Sequence, residues 1–171
     1  FNISLCCTVH KLNINRLHSV LEYSLNKNFA IQFQPVHFES FTSLKTKKRF
    51  WPTKDQINEI REFFLVVEKL KKGGAKIANH IEYIKRIPLY FQNSHFRPRK
   101  CFAPCAQITI DQSLNLRPCW GMTSVGKLCS GQDLIRLWFS DQMKTIRQKV
   151  DDGNCKGCLY SCHLSKDYTV F

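Results

Sequence analysis

Cysteines are the residues of this sequence whose type and spacing point most directly to chemistry. Nine occur in 171 residues, an odd number that cannot be fully paired in intramolecular disulfides. The N-terminus shows no signal-peptide pattern, so metal or cluster ligation is favoured over a disulfide-stapled secreted domain. Seven of the nine lie in the last 71 residues: Cys101, Cys105, Cys119, Cys129, Cys155, Cys158 and Cys162.

The spacing of the tail cysteines suits a four-thiolate site. Cys155 and Cys158 form a C-x-x-C pair, which lets both sulfurs bind one centre while the intervening amides turn toward them, and Cys162 follows after three residues. Cys101 and Cys119 flank a predicted β-hairpin that could bring two more sulfurs to the same place. Four thiolates are what a [4Fe–4S] cluster or a structural zinc ion requires, so the residues alone leave both open.

The segment of residues 101–119 resembles the start of the SPASM/twitch domains that radical SAM enzymes carry at their C-terminus. It begins with a cysteine, passes into a short hairpin and ends in Pro118-Cys119. Further segments resemble family landmarks in the same order. Val125-Gly126-Lys127-Leu128 resembles the family's Gly-Asn-Leu, and Trp138-Phe139-Ser140 resembles its Trp-x-Ser. Arg147 resembles its helical arginine, and Cys155-x-x-Cys158 resembles its last cysteine pair. The resemblance covers residues 101–162.

This resemblance implies one auxiliary [4Fe–4S] cluster. Carried over residue by residue, the ligands are Cys101, Cys119, Cys155 and Cys158; Cys162 is a fifth candidate, and Cys105 competes with Cys101. In the complete enzyme a second [4Fe–4S] cluster would cleave S-adenosylmethionine to a 5′-deoxyadenosyl radical, with an electron donor and a peptide or small-molecule substrate as partners.

Three departures from the family pattern limit what the resemblance implies. The C-x-x-x-C-x-x-C motif of the SAM-cleaving cluster is absent, since Cys6-Cys7 cannot supply it, so the chain is not expected to be active alone. The tail has enough cysteines for one auxiliary cluster rather than two. The family's turn glycine is replaced by Leu114, so Asn115 is expected to adopt the left-handed conformation instead.

The body of the chain predicts an α/β fold. Residues 3–9 and 30–36 are typical of strands, the first buried on both faces, and the helix between them is capped by Asn13 or Asn15 and ended by Asn28. Strand, helix and strand make a βαβ unit with parallel strands. This piece resembles the C-terminal fragment of a partial (βα)6 radical SAM barrel, with a small α+β SPASM/twitch-like domain following it.

These patterns divide the chain into three parts: a barrel piece over 1–52, a helical bridge over 53–100 and a cluster domain over 101–171. Residues 39–52 are predicted to be a loop. A capping box at Thr53 and Gln56 begins a helix that Gly73 ends. A weaker helix is predicted over 79–91, where Pro88 interrupts an apolar stripe. The tail is predicted to contain strands over 107–111 and 116–120 and two short helices capped at Ser130 and Ser140.

The formal charge of +13 arises from dispersed basic runs, which are expected to be solvated surface. If the chain is part of a radical SAM enzyme, nucleic acid is therefore not an expected partner. No run of 18 apolar residues occurs, so no membrane association is expected and the cytoplasm is the expected location. The alternative function is a non-enzymatic four-cysteine zinc module with a basic nucleic-acid-binding surface.

Overall fold

The computed structural model describes residues 3–38, 43–93, 101–155 and 157–159. They fall into two compact units. The described residues of the first unit are 3–38, 43–93 and 158–159, and those of the second are 101–155 and 157. In the described ranges, no helix is long and apolar enough to cross a membrane.

The first unit begins with the predicted βαβ arrangement, confirming the α/β class. Strand β1 (Ser4–Val9) leads through a 3-10 turn (Ile14–Arg16) into helix α1 (Leu17–Asn26), and β2 (Ala30–Pro35) follows. The two strands pair in parallel, with Val9 opposite Pro35. Parallel pairing requires such a helical crossover.

The two faces of this sheet differ. Val9, Ile31 and Phe33 are buried on one face, whereas Ser4 and Cys6 on the other face are exposed. The prediction that β1 is buried on both faces was therefore wrong. Alternation of side chains along a strand puts every second residue on the exposed face, which apolar composition alone does not reveal.

The turn after β1 uses Asn13 differently from the prediction. Its side chain does not cap the helix; Nδ2 donates to the Thr8 carbonyl at 2.8 Å and Oδ1 accepts from the His10 amide at 3.0 Å. Asn13 thereby closes the turn that leaves the strand. At the other end of α1, Asn28 adopts φ 55°, the left-handed conformation that ends a helix, as predicted.

Helices α2 (Leu44–Phe50), α3 (Lys54–Lys72) and α4 (Ile81–Gln92) complete the first unit. The capping box of α3 and its end at Gly73 are confirmed. Two predictions were wrong here. Residues 44–50 of the predicted loop form α2, capped by the Ser43 hydroxyl, while residues 39–42 lie outside the described residues.

The weaker helix predicted over 79–91 is confirmed as α4, which runs through Pro88. The second wrong prediction is that Pro88 interrupts the apolar stripe, since Pro88 is itself buried, as are Ile84 and Ile87. Proline removes one backbone hydrogen bond, but Ile87, Tyr90 and Phe91 around it are buried in the core. Packing of this face offsets the lost bond. The core of the unit consists of Val9, Ile14, Leu17, Leu21, Ile31, Phe33, Ile60, Phe63, Phe64, Val67, Ile77, Tyr83, Ile84, Ile87, Tyr90, Phe91 and Leu159.

The second unit contains short elements. Helix α5 (Ala103–Ala106) precedes strands β3 (Thr109–Ile110), β4 (Asn115–Arg117) and β5 (Gly126–Lys127), and helices α6 (Gly131–Trp138) and α7 (Asp141–Asp151) follow. The predicted antiparallel hairpin is confirmed as β3–β4, with shorter strands than expected, and β5 adds to β4. Neither α5 nor β5 was predicted. The small core comprises Leu116, Val125, Leu137 and Met143.

The hairpin turn contradicts one expectation. Leu114, not Asn115, adopts the left-handed conformation, with φ 60°. Asn115 is instead the first residue of β4, and its amide and side chain both donate to the Asp111 carboxylate. These hydrogen bonds fix Asn115 in the strand and leave the strained position to Leu114, which is 52% exposed.

Candidate metal centre

The first pair of candidate ligands lies at a single-turn helix. Cys101 is half-buried and precedes α5, whereas Cys105 lies within α5 and is exposed. Ala103 and Pro104 between them are buried. The Cys105 amide donates to the Phe102 carbonyl at 2.9 Å, so the turn is closed by its own backbone. Of this pair, Cys101 is the more sheltered thiol.

Arg147 holds this turn from α7. Its Nε donates to the Pro104 carbonyl at 3.0 Å, and its guanidinium carbon lies 4.4 Å from the centroid of the Trp138 ring. Stacking on an aromatic face and donation to a carbonyl both use the planar guanidinium that lysine lacks. Arg147 thus connects the segment of Cys101 and Cys105 to the end of α6 and the middle of α7.

One nitrogen of the same side chain has no partner. Nη2 of Arg147 is buried and makes no hydrogen bond within the described part of the chain. A buried donor left without an acceptor costs on the order of 1–3 kcal/mol. The guanidinium therefore has unused donor capacity near the first candidate ligands.

Cys119 follows β4 and is the most buried of the candidate thiols that the structure describes, at 9% exposure. Its carbonyl accepts from the Met122 amide at 3.2 Å, which closes a turn. Arg117 secures the turn, because Nη1 donates to the Met122 carbonyl and Nε to Asp111, both at 3.3 Å. At Gly121 an added Cβ would lie 4.0 Å from the Cys119 sulfur, an ordinary van der Waals distance, so the space beside the thiol does not require glycine.

The structure gives a reason for the glycine in the Val125–Leu128 segment. Gly126 has φ 153°, and a Cβ built there would lie 2.5 Å from Leu137 Cδ2. Only glycine therefore allows β5 to approach α6 this closely. The approach buries Val125 and Leu137 next to the hairpin that leads to Cys119.

The C-x-x-C pair follows α7. Gly153 ends the helix at φ 76°, and the Asn154 amide donates back to the Lys149 carbonyl at 2.8 Å. Cys155 and Cys158 are half-buried, and Gly157 between them adopts φ 80°. Cys155 belongs to the second unit and Cys158 to the first.

The described positions do not by themselves assemble a ligand set. Over residues 3–38, 43–93, 101–155 and 157–159, no three His, Cys, Asp or Glu side chains are grouped so that they could hold a metal ion. Cys162, the fifth candidate, lies outside the described residues. The donor types fit an iron–sulfur cluster or zinc, since both bind thiolates, but no ligand geometry follows from these positions.

The two remaining cysteines, Cys6 and Cys7, are neighbours in strand β1. Burial, and then the neighbouring Cys6, raises the pKa of the Cys7 thiol to about 11. A thiol with such a pKa is protonated at neutral pH and is a poor ligand.

No protein-family model, curated protein or solved structure matches this chain. The functional argument therefore depends on the residues and their contacts.

Sequence reasoning missed several residues around these thiols. Arg147 was recognised as a landmark, but its bond to Pro104, 43 residues away, was not predicted. His37, Tyr83 and Tyr90 were not singled out at all. A signal existed for His37, because it follows a predicted parallel strand at its carboxyl end, where functional residues of α/β folds collect.

Proposed function

We propose that this chain is the C-terminal portion of a radical SAM enzyme and binds one auxiliary [4Fe–4S] cluster. The proposed ligands are Cys101, Cys119, Cys155 and Cys158, with Cys162 as a fifth candidate and Cys105 as an alternative to Cys101. The observation that carries the proposal is the contact set of Arg147, which stacks on Trp138 and bonds to Pro104. Two landmarks of the resemblance, Arg147 and Trp138, thus meet the segment of residues 101–119 in one compact unit.

The first unit supports the barrel part of the proposal. Its parallel strands have an apolar face toward the helices and a polar face on which Ser4, Cys6 and Gln32 are exposed. On the polar face, Gln34 Nε2 donates to the Thr8 hydroxyl at 3.2 Å. In a βα-barrel the helices cover the outer face of the strands, as α1 and α4 do here, and functional groups lie at the carboxyl ends of the strands.

The auxiliary cluster would supply electron relay or substrate anchoring to the complete enzyme. This chain's own contribution is to hold thiols: Arg147 fixes the turn beside Cys101, and Arg117 fixes the turn that begins at Cys119. The chain alone is not expected to cleave S-adenosylmethionine. A peptide or small-molecule substrate, an electron donor and a cytoplasmic location belong to the same proposal.

The test is metal analysis of anaerobically purified protein. We expect about four iron and four sulfide per chain and a brown colour, as for one [4Fe–4S] cluster. Cys119→Ala should lose most of this iron, because the most buried of the described candidate thiols is removed. Cys129→Ala is the matched control, since Cys129 is exposed and outside the proposed set. Equal iron in the two variants would contradict the ligand assignment.

The second candidate function is a zinc module with a basic nucleic-acid-binding surface, and α2 is the feature that favours it. Lys45, Lys47, Lys48 and Arg49 lie on its seven residues, and none forms an ion pair with a described residue. This function predicts about one zinc and no sulfide per chain. Nucleic-acid binding should then weaken steeply from low to physiological salt, and a flat binding curve would exclude it.

A further inference from the structure

Leu159, the residue after the C-x-x-C pair, is buried in the core of the first unit. Its side chain is 1% exposed and belongs to the same core as Phe33, Ile84 and Phe91. Most of this core comes from residues 9–91, and Leu159 is the one described member from the end of the chain. Cys158 is therefore the immediate neighbour in sequence of a buried core residue.

Two side chains bind the backbone of Leu159. The Tyr83 hydroxyl donates to the Leu159 carbonyl at 2.8 Å, and His37 Nε2 lies 3.1 Å from the same oxygen. A carbonyl can only accept, so His37 carries a proton on Nε2. Two hydrogen bonds on one buried carbonyl leave its peptide little orientational freedom.

Tyr90 lies against His37. Its hydroxyl is 3.2 Å from both His37 Nδ1 and the Val36 carbonyl, two acceptors that share its single proton. The two rings also pack, with centroids 5.1 Å apart. Tyr83 and Tyr90 are seven residues apart on α4, two helical turns on one face, and His37 follows β2 closely.

We propose that His37, Tyr83 and Tyr90 are positioning residues that hold Cys158, the last thiol of the C-x-x-C pair, on the first unit. The side chain of Leu159 is held by burial in the core, and its backbone carbonyl is held by the hydrogen bonds from Tyr83 and His37. The inference rests on the proposed function only for the nature of the bound group, because the thiol is held whether or not a cluster is present. The first unit thereby sets the orientation of a ligand that the sequence groups with the tail.

The direct test is alkylation of Cys158 in metal-free protein, with each cysteine peptide quantified by mass spectrometry. In the Tyr83→Phe/His37→Leu variant, Cys158 should react about tenfold faster, the ratio corresponding to a lost buried hydrogen bond. Exposed Cys105 in the second unit is the internal reference and should react at its wild-type rate. An unchanged Cys158 rate would overturn the proposal.

A control separates positioning from general loss of stability. Asn79 is buried and hydrogen-bonds to both the amide and the carbonyl of Phe33 rather than to the Leu159 carbonyl. Asn79→Ala should lower the urea midpoint of the first unit and leave the Cys158 rate unchanged. If Asn79→Ala accelerates Cys158 as much as the double variant does, the three residues are merely structural and the proposal fails.

Single variants guard against a double variant that does not fold. Tyr83→Phe alone removes one hydroxyl and should accelerate Cys158 alkylation by a smaller factor. His37→Gln keeps a side-chain N–H donor and should restore the wild-type rate that His37→Leu loses. If Gln and Leu at position 37 behave alike, the hydrogen bond of His37 has no positioning role.

Metal retention distinguishes this proposal from the proposed function. If wild-type protein takes up neither iron nor zinc after reconstitution, the proposed function fails, while the alkylation rates still decide the role of His37, Tyr83 and Tyr90. If wild-type protein holds iron, His37→Leu should release it to a chelator at least about tenfold faster and His37→Gln should not. Equal release from all three proteins would contradict positioning of a ligand.

Discussion

The two compact units differ in how much apolar surface they bury. The described core of the first unit has 17 buried side chains, several of them aromatic, whereas that of the second unit has four. Burial of apolar surface is the main stabilising contribution to folding, and small units with few buried side chains usually need a metal or disulfides. The first unit therefore has the larger core, and under the proposed function the second unit is expected to depend on a bound metal.

The second unit relies instead on local polar contacts. The Asp111 carboxylate accepts from the amides of Ser113 and Asn115 and from Arg117. Asp133 accepts from Arg136 and from the amides of Cys129 and Ser130. Such contacts shape turns, but exposed ones add little free energy. A bound metal would therefore be the largest single stabilising contribution to this unit.

Metal removal should produce the largest effect. Binding of a metal to thiolates in a unit with a small core is coupled to folding, and its loss should cost more than about 5 kcal/mol. Hydrogen exchange after anaerobic chelation should show lost protection in residues 101–155 and retained protection in residues 3–93. Equal loss in both ranges, or none in either, would break the contrast between the units.

Replacement of Arg147 should be the next largest effect. Arg147→Leu removes the stacking on Trp138 and the bond to Pro104, and should destabilise the second unit by about 2 kcal/mol in thermal unfolding. Arg136→Leu is the control, because Arg136 is 68% exposed and bonds only to Asp133 within the described contacts. Its effect should stay below about 1 kcal/mol. Comparable effects of both variants would contradict a special role for Arg147.

Acid should destabilise the second unit. Hydrogen bonds from the Asn115 backbone and side chain lower the pKa of Asp111, and those from Arg136 and the Cys129 amide lower that of Asp133. A lowered folded-state pKa adds stability above the unfolded value, near pH 4, that is lost as the pH falls below it. The thermal unfolding midpoint of the metal-loaded protein should therefore decrease as the pH is lowered below about 4, and the decrease should be smaller in Asp111→Asn/Asp133→Asn. Equal acid sensitivity in that variant would exclude these carboxylates.

The smallest predicted effect concerns the hairpin turn. Leu114→Asn places a residue that tolerates the left-handed conformation at φ 60°, and should stabilise the second unit by about 0.5 kcal/mol. Leu44→Asn is the control, since Leu44 is also exposed but begins α2 in an ordinary helical conformation. A gain at both positions would mean that removing exposed apolar surface, rather than relief of strain, is responsible.

Local signals predicted much of the secondary structure. The capping residues Thr53, Ser130 and Ser140 act within three or four positions along the chain, and they begin helices where expected. Helix α2 escaped prediction because it buries no side chain and so has no apolar period. It is stabilised instead by contacts distant in sequence, among them the Lys11 amide donating to the Phe50 carbonyl at 2.8 Å.

The sequence by itself determined the number and spacing of the tail cysteines, the parallel βαβ unit and the positions of the helix caps, since these depend on near neighbours. Only the tertiary structure placed Leu159 under Tyr83 and His37, across 76 and 122 residues, and Arg147 on Pro104 across 43. Contacts at such separations depend on how whole elements pack, and no local period or motif records them. The attachment of Cys158 to the first unit is for that reason a property of the fold.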